Sequence, residues 1–323
     1  MLRRRPPVLT GPELDDRRLR RTLTELRPSQ QLHGLGAGAT RPQWTPAAEL
    51  LRATGRDWDR RVHRISVLAH ALPPVVTDRW VKDRPRDPDA LVVRACTRVA
   101  QVKEGTGWSD DAWDAWDDCG RAAEAATEDP TPWLAMLRLM YSCGSPAHAA
   151  VPVWTEAVTR DPWNRAAYHQ LLRHLSPRGH GTLMQMIDFA GRCTSEAPHG
   201  SPVALLPLAA RVELVAHRTS TDSPGSFTAD GHWHEPQAAV EANAALTRWF
   251  HTDTQPHAEA LVDLNLLAYA LTRMKRTEDA TPVFRRIGRH MTSHPWDLVP
   301  DAARTFHYWQ ARAMAGDRQG DRG

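Results

Sequence analysis

Two short stretches of the sequence group side chains that could bind a metal ion. The first lies in the acidic segment Asp110–Asp118, where DDAWD at 110–114 spaces three carboxylates as DDxxD. Carboxylates one helical turn apart can share a hard cation such as Mg²⁺, which takes oxygen ligands and often carries substrate phosphates. We favour a second interpretation, an acidic and solvated helix start that complements the helix dipole. Trp108, Trp113 and Trp116 would then dock this helix on its neighbours.

The DDxxD spacing resembles the metal-binding motif of class I terpene synthases, which are all-helical enzymes of about this length. The resemblance implies that these aspartates hold magnesium and, through it, a substrate diphosphate. It also implies a second metal motif of the Asn…Ser/Thr…Glu kind on a later helix, and we find no such motif. A magnesium-dependent enzyme acting on a diphosphate is therefore the alternative function.

The second stretch, His232–Glu235, reads HWHE and is followed by His251 and His257. Transition metals accept imidazole and carboxylate ligands of this kind. The chain has 16 histidines in 323 residues, however, so close pairs are expected by chance. His290 and His294 stand at i, i+4 of a helical pattern without an evident third ligand. We assign no metal site and no cofactor to these residues.

Signatures of nucleophilic catalysis are missing from the sequence. It contains neither a GxSxG elbow nor an HExxH zinc motif. The four cysteines form no CxxC pair, and we expect them to be reduced and buried, as is typical of cytoplasmic proteins. They are Cys96, Cys119, Cys143 and Cys193. No catalytic residue is assigned, and a non-enzymatic role is favoured.

Charge and hydropathy narrow the class of protein. Residues 1–44 carry nine arginines against four acidic residues, whereas the remainder has 32 basic and 34 acidic residues. A body without a basic surplus argues against nucleic-acid binding. The most apolar stretches are too short to cross a membrane, and no secretory signal is evident. Only three of the 41 basic residues are lysine, which suggests a GC-rich bacterial gene. We expect a cytoplasmic protein.

Helical signals divide the chain into three segments. Residues 1–44 are predicted to be a flexible basic arm with one short helix, because Leu19, Leu23 and Leu26 recur at helical spacing. Residues 45–312 are predicted to be a helical-repeat domain that starts at Thr45, with a flexible tail over 313–323. Asp-Pro recurs at 87–88, 129–130 and 161–162, each time ahead of an apolar helical pattern. Such punctuation is typical of a helical repeat array.

The pentapeptides AVPVW (150–154) and ATPVF (280–284) mark the same position in two helical hairpins. In each, an alanine allows close helix approach and an aromatic residue fills the space one turn later. The proline between them is acceptable in the first turn, where its missing amide has no helical partner. Thr277 is predicted to cap the second of these helices.

These hairpins resemble tetratricopeptide repeats. The matching residues are Leu137, Tyr141, Ala150, Trp154, Ala157 and Pro162, then Leu267, Ala268, Ala280 and Phe284. The helix DLNLLAYAL and the HPW near the C-terminus are also similar to actinobacterial proteins with tetratricopeptide-like folds, a group without an established activity. The resemblance implies an all-α fold, an irregular stack of antiparallel helical hairpins (an α-solenoid). A concave surface that binds a protein or peptide partner follows from it, without catalysis.

Overall fold

The computed structural model describes residues 6–27, 42–221 and 227–320, apart from the side chains of 220–230 and 316–320. Within these residues the chain forms fifteen α-helices, several short 3₁₀ or π segments and one pair of two-residue strands. The protein is therefore all-α, as the sequence predicts.

The chain divides into two compact units where the sequence predicts one continuous domain over 45–312. Unit A comprises Asp15–His174, and unit B comprises Met1–Leu14 together with Leu175–Gly323. Unit B is thus built from both ends of the chain. Hydrophobic periodicity finds helices but carries no information on where one core ends and the next begins.

Unit A is a cluster of helices around a central one. Its helices are α1 (Arg17–Leu26), α2 (Thr45–Thr54), α3 (Trp58–Ala71), α4 (Pro74–Asp83), α5 (Pro88–Gln101), α6 (Asp110–Ala125), α7 (Thr131–Ser142), α8 (Ala147–Arg160) and α9 (Arg165–Leu175). Helix α5 contacts α2, α3, α4, α6 and α7. It therefore buries residues around most of its circumference, including Val92 and Val93, whose low helix propensity is outweighed by packing.

The recurring Asp-Pro pairs have a structural role in unit A. Asp87 caps α5, and Asp129 accepts a hydrogen bond from the amide of Thr131 at the start of α7 (2.8 Å). The buried guanidinium of Arg61 on α3 binds Asp129 (Nε to Oδ2, 2.7 Å) and also Asp89 of α5. Burial alone would lower the pKa of Arg61, but these two carboxylates more than offset it and raise that pKa. One arginine thus ties together the starts of two helices.

Unit B contains the remaining six helices and the strand pair. They are α10 (Leu183–Glu196), α11 (Leu206–Thr221), α12 (Pro236–Ala245), α13 (Ala260–Arg273), α14 (Thr277–Ile287) and α15 (Ala302–Gly320), with strands β1 (Val8–Leu9) and β2 (His290–Met291). Helix α13 packs on α14, and α14 packs on α15. Their core is aromatic, with Trp296 5.3 Å from Tyr269 and 5.2 Å from Phe306 between ring centroids.

The two predicted hairpins are present. In α7 and α8, Leu134, Leu137, Ala150 and Ala157 are buried, and Tyr141 and Trp154 are half-buried. The inward residues predicted for α13 and α14 are all buried in unit B; they are Leu264, Leu267, Ala268, Leu271, Ala280, Phe284 and Ile287. The helical period therefore identified both faces that point to the core.

The predicted helix starts differ from the observed ones by about one residue. Thr45 and Thr277 are the first helical residues of α2 and α14 and do not cap them; Trp44 and Arg276 occupy the cap positions, and their side chains make no capping hydrogen bond. Pro152 and Pro282 stand sixth in α8 and α14, beyond the first turn where we expected them. An amide there would donate to a carbonyl four residues back, so both prolines remove a helical hydrogen bond.

Parts of the two predicted flexible terminal segments form helices, and residues 1–5, 28–41 and 321–323 of those segments lie outside the described residues. Within 1–44, α1 forms at the predicted leucines, and Leu19 is fully buried. Asp16 caps α1 and binds the buried guanidinium of Arg64 (Nε to Oδ2, 2.8 Å). At the other end, the backbone of α15 continues to Gly320, through most of the predicted tail.

No helix in the described part of the chain is both long enough and apolar enough to span a bilayer.

Candidate functional site

Helix α10 of unit B has one apolar face that no described residue covers. Thr182 starts this helix with a capping box: its hydroxyl accepts from the amide of Gln185, whose side chain accepts from the amide of Thr182 (2.9 Å). One face is buried and packs on α11. On the other face Leu183 is 37%, Met184 68% and Ile187 51% exposed. Such a face on a folded domain is typical of an interaction surface.

Leu183 and Ile187 of this face, but not Met184, form part of one wall of a groove of about 460 Å³, which we call the α10 groove. Pro207, Ala210 and Leu214 of α11 lie opposite, one helical turn apart along a single stripe. Ala190 and Gly191 are small residues, so the groove stays open between the two helices. Its volume falls in the range of ordinary ligand sites.

Charged side chains form the rim of the α10 groove. Arg211 of α11 pairs with Glu241 of α12 through both Nε and Nη2. Its remaining nitrogen, Nη1, donates to the carbonyl oxygen of His232 and to Glu235 (3.3 Å). Because this arginine is largely buried and its donors are engaged, the ion pair fixes the rim. Arg218 lines the same rim.

The α10 groove has the composition of a binding site. Its described lining consists of apolar side chains together with Arg, Glu, Gln and His, none of which forms a nucleophile–base pair. Apolar walls with a few fixed polar groups suit recognition of a partly apolar ligand.

The predicted DDxxD aspartates lie at the start of α6, which Ser109 caps. Asp110, Asp111 and Asp114 are exposed. A cleft of about 570 Å³ beside them is lined by both acidic and basic residues, among them Arg98 and Lys103. No group of three metal-binding side chains occurs anywhere in the described residues. The deep, Trp-lined apolar cavity that a diphosphate-binding enzyme would need is not found at this cleft.

The rest of the acidic segment has a structural role. Asp118 is fully buried and binds Arg94 (2.8 Å), Arg98 (3.0 Å) and Arg121. The three tryptophans predicted to dock this helix contact one another, with Trp108 4.5 Å from Trp113 and 5.6 Å from Trp116 between ring centroids. Trp113 is nonetheless 52% exposed, so it covers Trp108 rather than entering the core.

The histidines singled out in the sequence do not come together. In the HWHE stretch His232 is buried, whereas His234 and Glu235 are exposed. His257 pairs instead with the buried carboxylate of Asp263 (3.2 Å). His290 and His294 share no helix, because one lies in β2 and the other precedes the 3₁₀ turn at Trp296–Leu298.

The cysteines are free thiols, as predicted. Cys119, Cys143 and Cys193 are buried, and Cys96 is half-buried. Burial raises the pKa of Cys96 to about 12 and that of Cys193 to about 11. Thiols with such pKa values carry almost no thiolate at neutral pH, so they are poor nucleophiles.

No protein-family model, curated protein or solved structure matches this chain. Homology therefore assigns no activity to the α10 groove.

Sequence reasoning did not find the α10 groove. The stretch LMQMIDFAG at 183–191 does carry a signal, because its apolar residues occupy more of the helix circumference than one buried face requires. The opposite wall comes from α11, whose distance from α10 is set by packing. A periodicity argument treats each helix alone and does not detect such a gap.

Proposed function

We propose that this chain is a non-catalytic binding module that accepts an amphipathic helical peptide of a partner protein in the α10 groove. The observation that carries the proposal is the exposed apolar face of α10, on which Leu183 and Ile187 line the groove and Met184 lies outside its lining. Exposing this much contiguous apolar surface is unfavourable in water, so a surface of this kind is retained where a partner covers it.

A helix fits the groove better than an extended strand does. The walls are two packed helices, and their backbone amides and carbonyls are engaged within those helices. An extended peptide would find no backbone partners there, whereas a helix satisfies its own. Apolar residues at positions i, i+3 or i+4, and i+7 of the peptide would contact the apolar side chains of the two walls. Polar residues on its flank would meet the rim at Arg218, Glu235 and Glu241.

We further propose a tetratricopeptide-like arrangement of the hairpins. Two features support it: the helices α3, α5 and α7 contact one another in turn, and the two pentapeptides occupy equivalent positions in their hairpins. Arrays of this type bind peptides through exposed residues that the fold does not dictate.

The proposal is tested by selecting peptides and then perturbing the groove. A phage-displayed library of amphipathic helical peptides is selected on the full chain, and the enriched peptides are labelled and titrated by fluorescence anisotropy. Ile187→Glu places a charge on the apolar wall, and we expect it to weaken binding at least tenfold, because the charge would be buried without a partner.

Val240→Glu is the matched control. Val240 is 58% exposed on α12 of the same unit and lies outside the groove lining. We expect it to leave the peptide affinity unchanged. Enriched peptides that bind the Ile187→Glu and Val240→Glu variants equally well would contradict the proposal, as would a selection that enriches no peptide.

A further inference from the structure

The N-terminal segment of unit B is a strand added to an otherwise helical unit. Val8 and Leu9 pair in parallel with His290 and Met291. The amide of Val8 donates to the carbonyl of Arg289 (2.7 Å), and the amide of Thr10 donates to that of Met291 (2.9 Å). These bonds join residues separated by more than 280 positions, so they connect the two parts of the chain that build unit B.

Strand β1, which we call the donor strand, is held in place mainly by its backbone hydrogen bonds. Val8 is 41% and Leu9 is 59% exposed, so their side chains bury little apolar surface. Arg289 adds one hydrogen bond to the carbonyl of Pro6 (3.3 Å). Backbone pairing of this kind is indifferent to which chain supplies the strand.

Strand β2, which we call the acceptor strand, is by contrast held in place by side chains of unit B. The buried amide of Asn265 donates to the carbonyl of His290 (3.1 Å) and accepts from the amide of Thr292 (3.3 Å). The indole of Trp296 donates to the same Asn265 oxygen (3.0 Å). Met291 is buried. The edge that receives β1 is therefore fixed by side chains of its own unit, independently of β1.

The connection after the donor strand is strained. A turn closes with the amide of Leu14 donating to the carbonyl of Gly11 (3.0 Å), and Leu14 has a φ of 51°. A left-handed conformation is unfavourable for a residue with a branched side chain. Leu14 is also the last residue before the chain enters unit A. A short connection under strain favours strand exchange, because opening it into an extended link relieves the strain.

We propose that β1 exchanges between two copies of this chain, so that residues 6–10 of each copy pair with β2 of the other. The occupant is a second copy because that copy carries the identical donor segment, which the edge of β2 already accepts. Exchange preserves every strand hydrogen bond and opens the turn at 11–14, in which the side chain of Leu14 is buried. It is independent of the α10 groove.

Cross-linking across the strand register tests this proposal. Val8 and His290 are register partners and both are exposed, and neighbouring strands place Cα atoms at a distance that a disulfide spans. A Val8→Cys chain is mixed with a differently tagged His290→Cys chain at high concentration, then diluted and oxidised. We expect a covalent heterodimer. The double variant Val8→Cys/His290→Cys is the geometric control and should form an internal disulfide when oxidised dilute.

The matched control for random collision is Val8→Cys mixed with Val240→Cys, whose cysteine is exposed but off the strand. Equal yields of heterodimer in both mixtures, or no heterodimer with His290→Cys while the double variant closes internally, would overturn the proposal. Leu14 is buried, so Leu14→Gly and Leu14→Ala both remove its packing, but only glycine also removes the conformational cost of the closed turn. We expect about tenfold less dimer for Leu14→Gly than for Leu14→Ala by light scattering. Equal dimer fractions in the two variants would rule out hinge strain as the driving force.

Discussion

The hairpins α7/α8 and α13/α14 follow one local pattern in two different surroundings. In each, the alanine, proline and aromatic residue stand fourth, sixth and eighth in the second helix. Each turn has a residue with positive φ, Gly144 or Lys275, and each closes with a hydrogen bond from the following amide to a carbonyl five residues back (2.9 Å). This is the usual C-terminal capping motif of a helix.

The surroundings decide how deeply each aromatic residue is buried. Phe284 is fully buried, because α15 packs on α14 and brings Phe306 to 5.5 Å. Trp154 is only half-buried, with Tyr168 at 5.5 Å on one side. The same pentapeptide is thus a core element in unit B and a partly exposed one in unit A. The local sequence determines that each hairpin forms. The element that packs next to the hairpin determines how much burial of the aromatic residue contributes to stability.

The largest expected difference between the hairpins comes from truncating the aromatic residue. Phe284→Ala should lower the free energy of unfolding by about 3–5 kcal/mol, because it leaves a cavity in a closed core. Trp154→Ala should cost less than half of that, since solvent already reaches the ring. Urea unfolding with hydrogen exchange at peptide resolution assigns each loss to its own hairpin. Equal losses would mean that the two positions are equally buried in solution.

The prolines give the next largest effect, with the opposite sign. Pro152 is exposed, so Pro152→Ala restores a helical hydrogen bond without loss of packing. Replacing proline by alanine favours the helix by about 3 kcal/mol. The conformational entropy of the unfolded chain increases at the same time, which reduces this gain by about 1 kcal/mol. We expect a Tm increase of roughly 4–8 °C in unit A. Pro282→Ala should gain less, because this ring is half-buried.

Val151→Ala is the control for Pro152→Ala, as it changes an exposed neighbour without altering the backbone. A Tm that falls in Pro152→Ala but not in Val151→Ala would show that the proline ring makes contacts that outweigh the missing hydrogen bond.

The two turns should respond to reciprocal substitutions. Lys275 is exposed with a φ of 60°, a conformation that glycine adopts without steric cost. Lys275→Gly should therefore stabilise α13/α14 by about 1 kcal/mol, and Gly144→Ala should destabilise α7/α8 by about the same amount. Chemical denaturation of both variants checks the signs. Two changes of the same sign would contradict the equivalence of the turns.

The helical faces of these hairpins could be predicted because their contacts are local. Ala150, Leu267 and Phe284 recur at helical spacing, and a helix with such a stripe must bury it. Helix boundaries are less predictable: the sequence predicts Thr277 as a cap, whereas Thr277 is the first helical residue of α14. A shift of one residue in the helix start changes which backbone amide needs a hydrogen-bond acceptor. Sequence spacing alone does not determine the position of that start.

The features that the sequence did not reveal depend on distant partners. Arg61 meets aspartates 28 and 68 residues away, and Val8 pairs with His290 across almost the whole chain. The α10 groove is likewise a space between helices rather than a property of either one. Such pairings follow from tertiary packing, for which a single sequence gives no distance information.

The smallest expected difference in stability between the two hairpins lies at the C-terminal ends of their second helices, α8 and α14. Helix α14 ends on Gly288 with a φ of 62°, whereas α8 ends on Asp161, a carboxylate beside the negative end of the helix dipole. Burial raises the pKa of Asp161, and the nearby Asp59 and Asp57 raise it further, against a hydrogen bond from Asn164. The folded state therefore binds this proton more tightly than the unfolded state does. The stability linked to Asp161 is present at acidic pH and is lost as pH rises through its raised pKa.

Asp161→Asn removes this titration while keeping the shape of the side chain. At pH 7 we expect the variant to be more stable than the parent chain by about 0.3–1 kcal/mol. At pH 3, where Asp161 is protonated, the two chains should have the same free energy of unfolding. The pH dependence distinguishes the charge effect from a packing effect, because a packing effect would persist at pH 3. A variant that is less stable than the parent at pH 7 would mean that the hydrogen bond which the carboxylate accepts from Asn164 outweighs its unfavourable position at the end of α8.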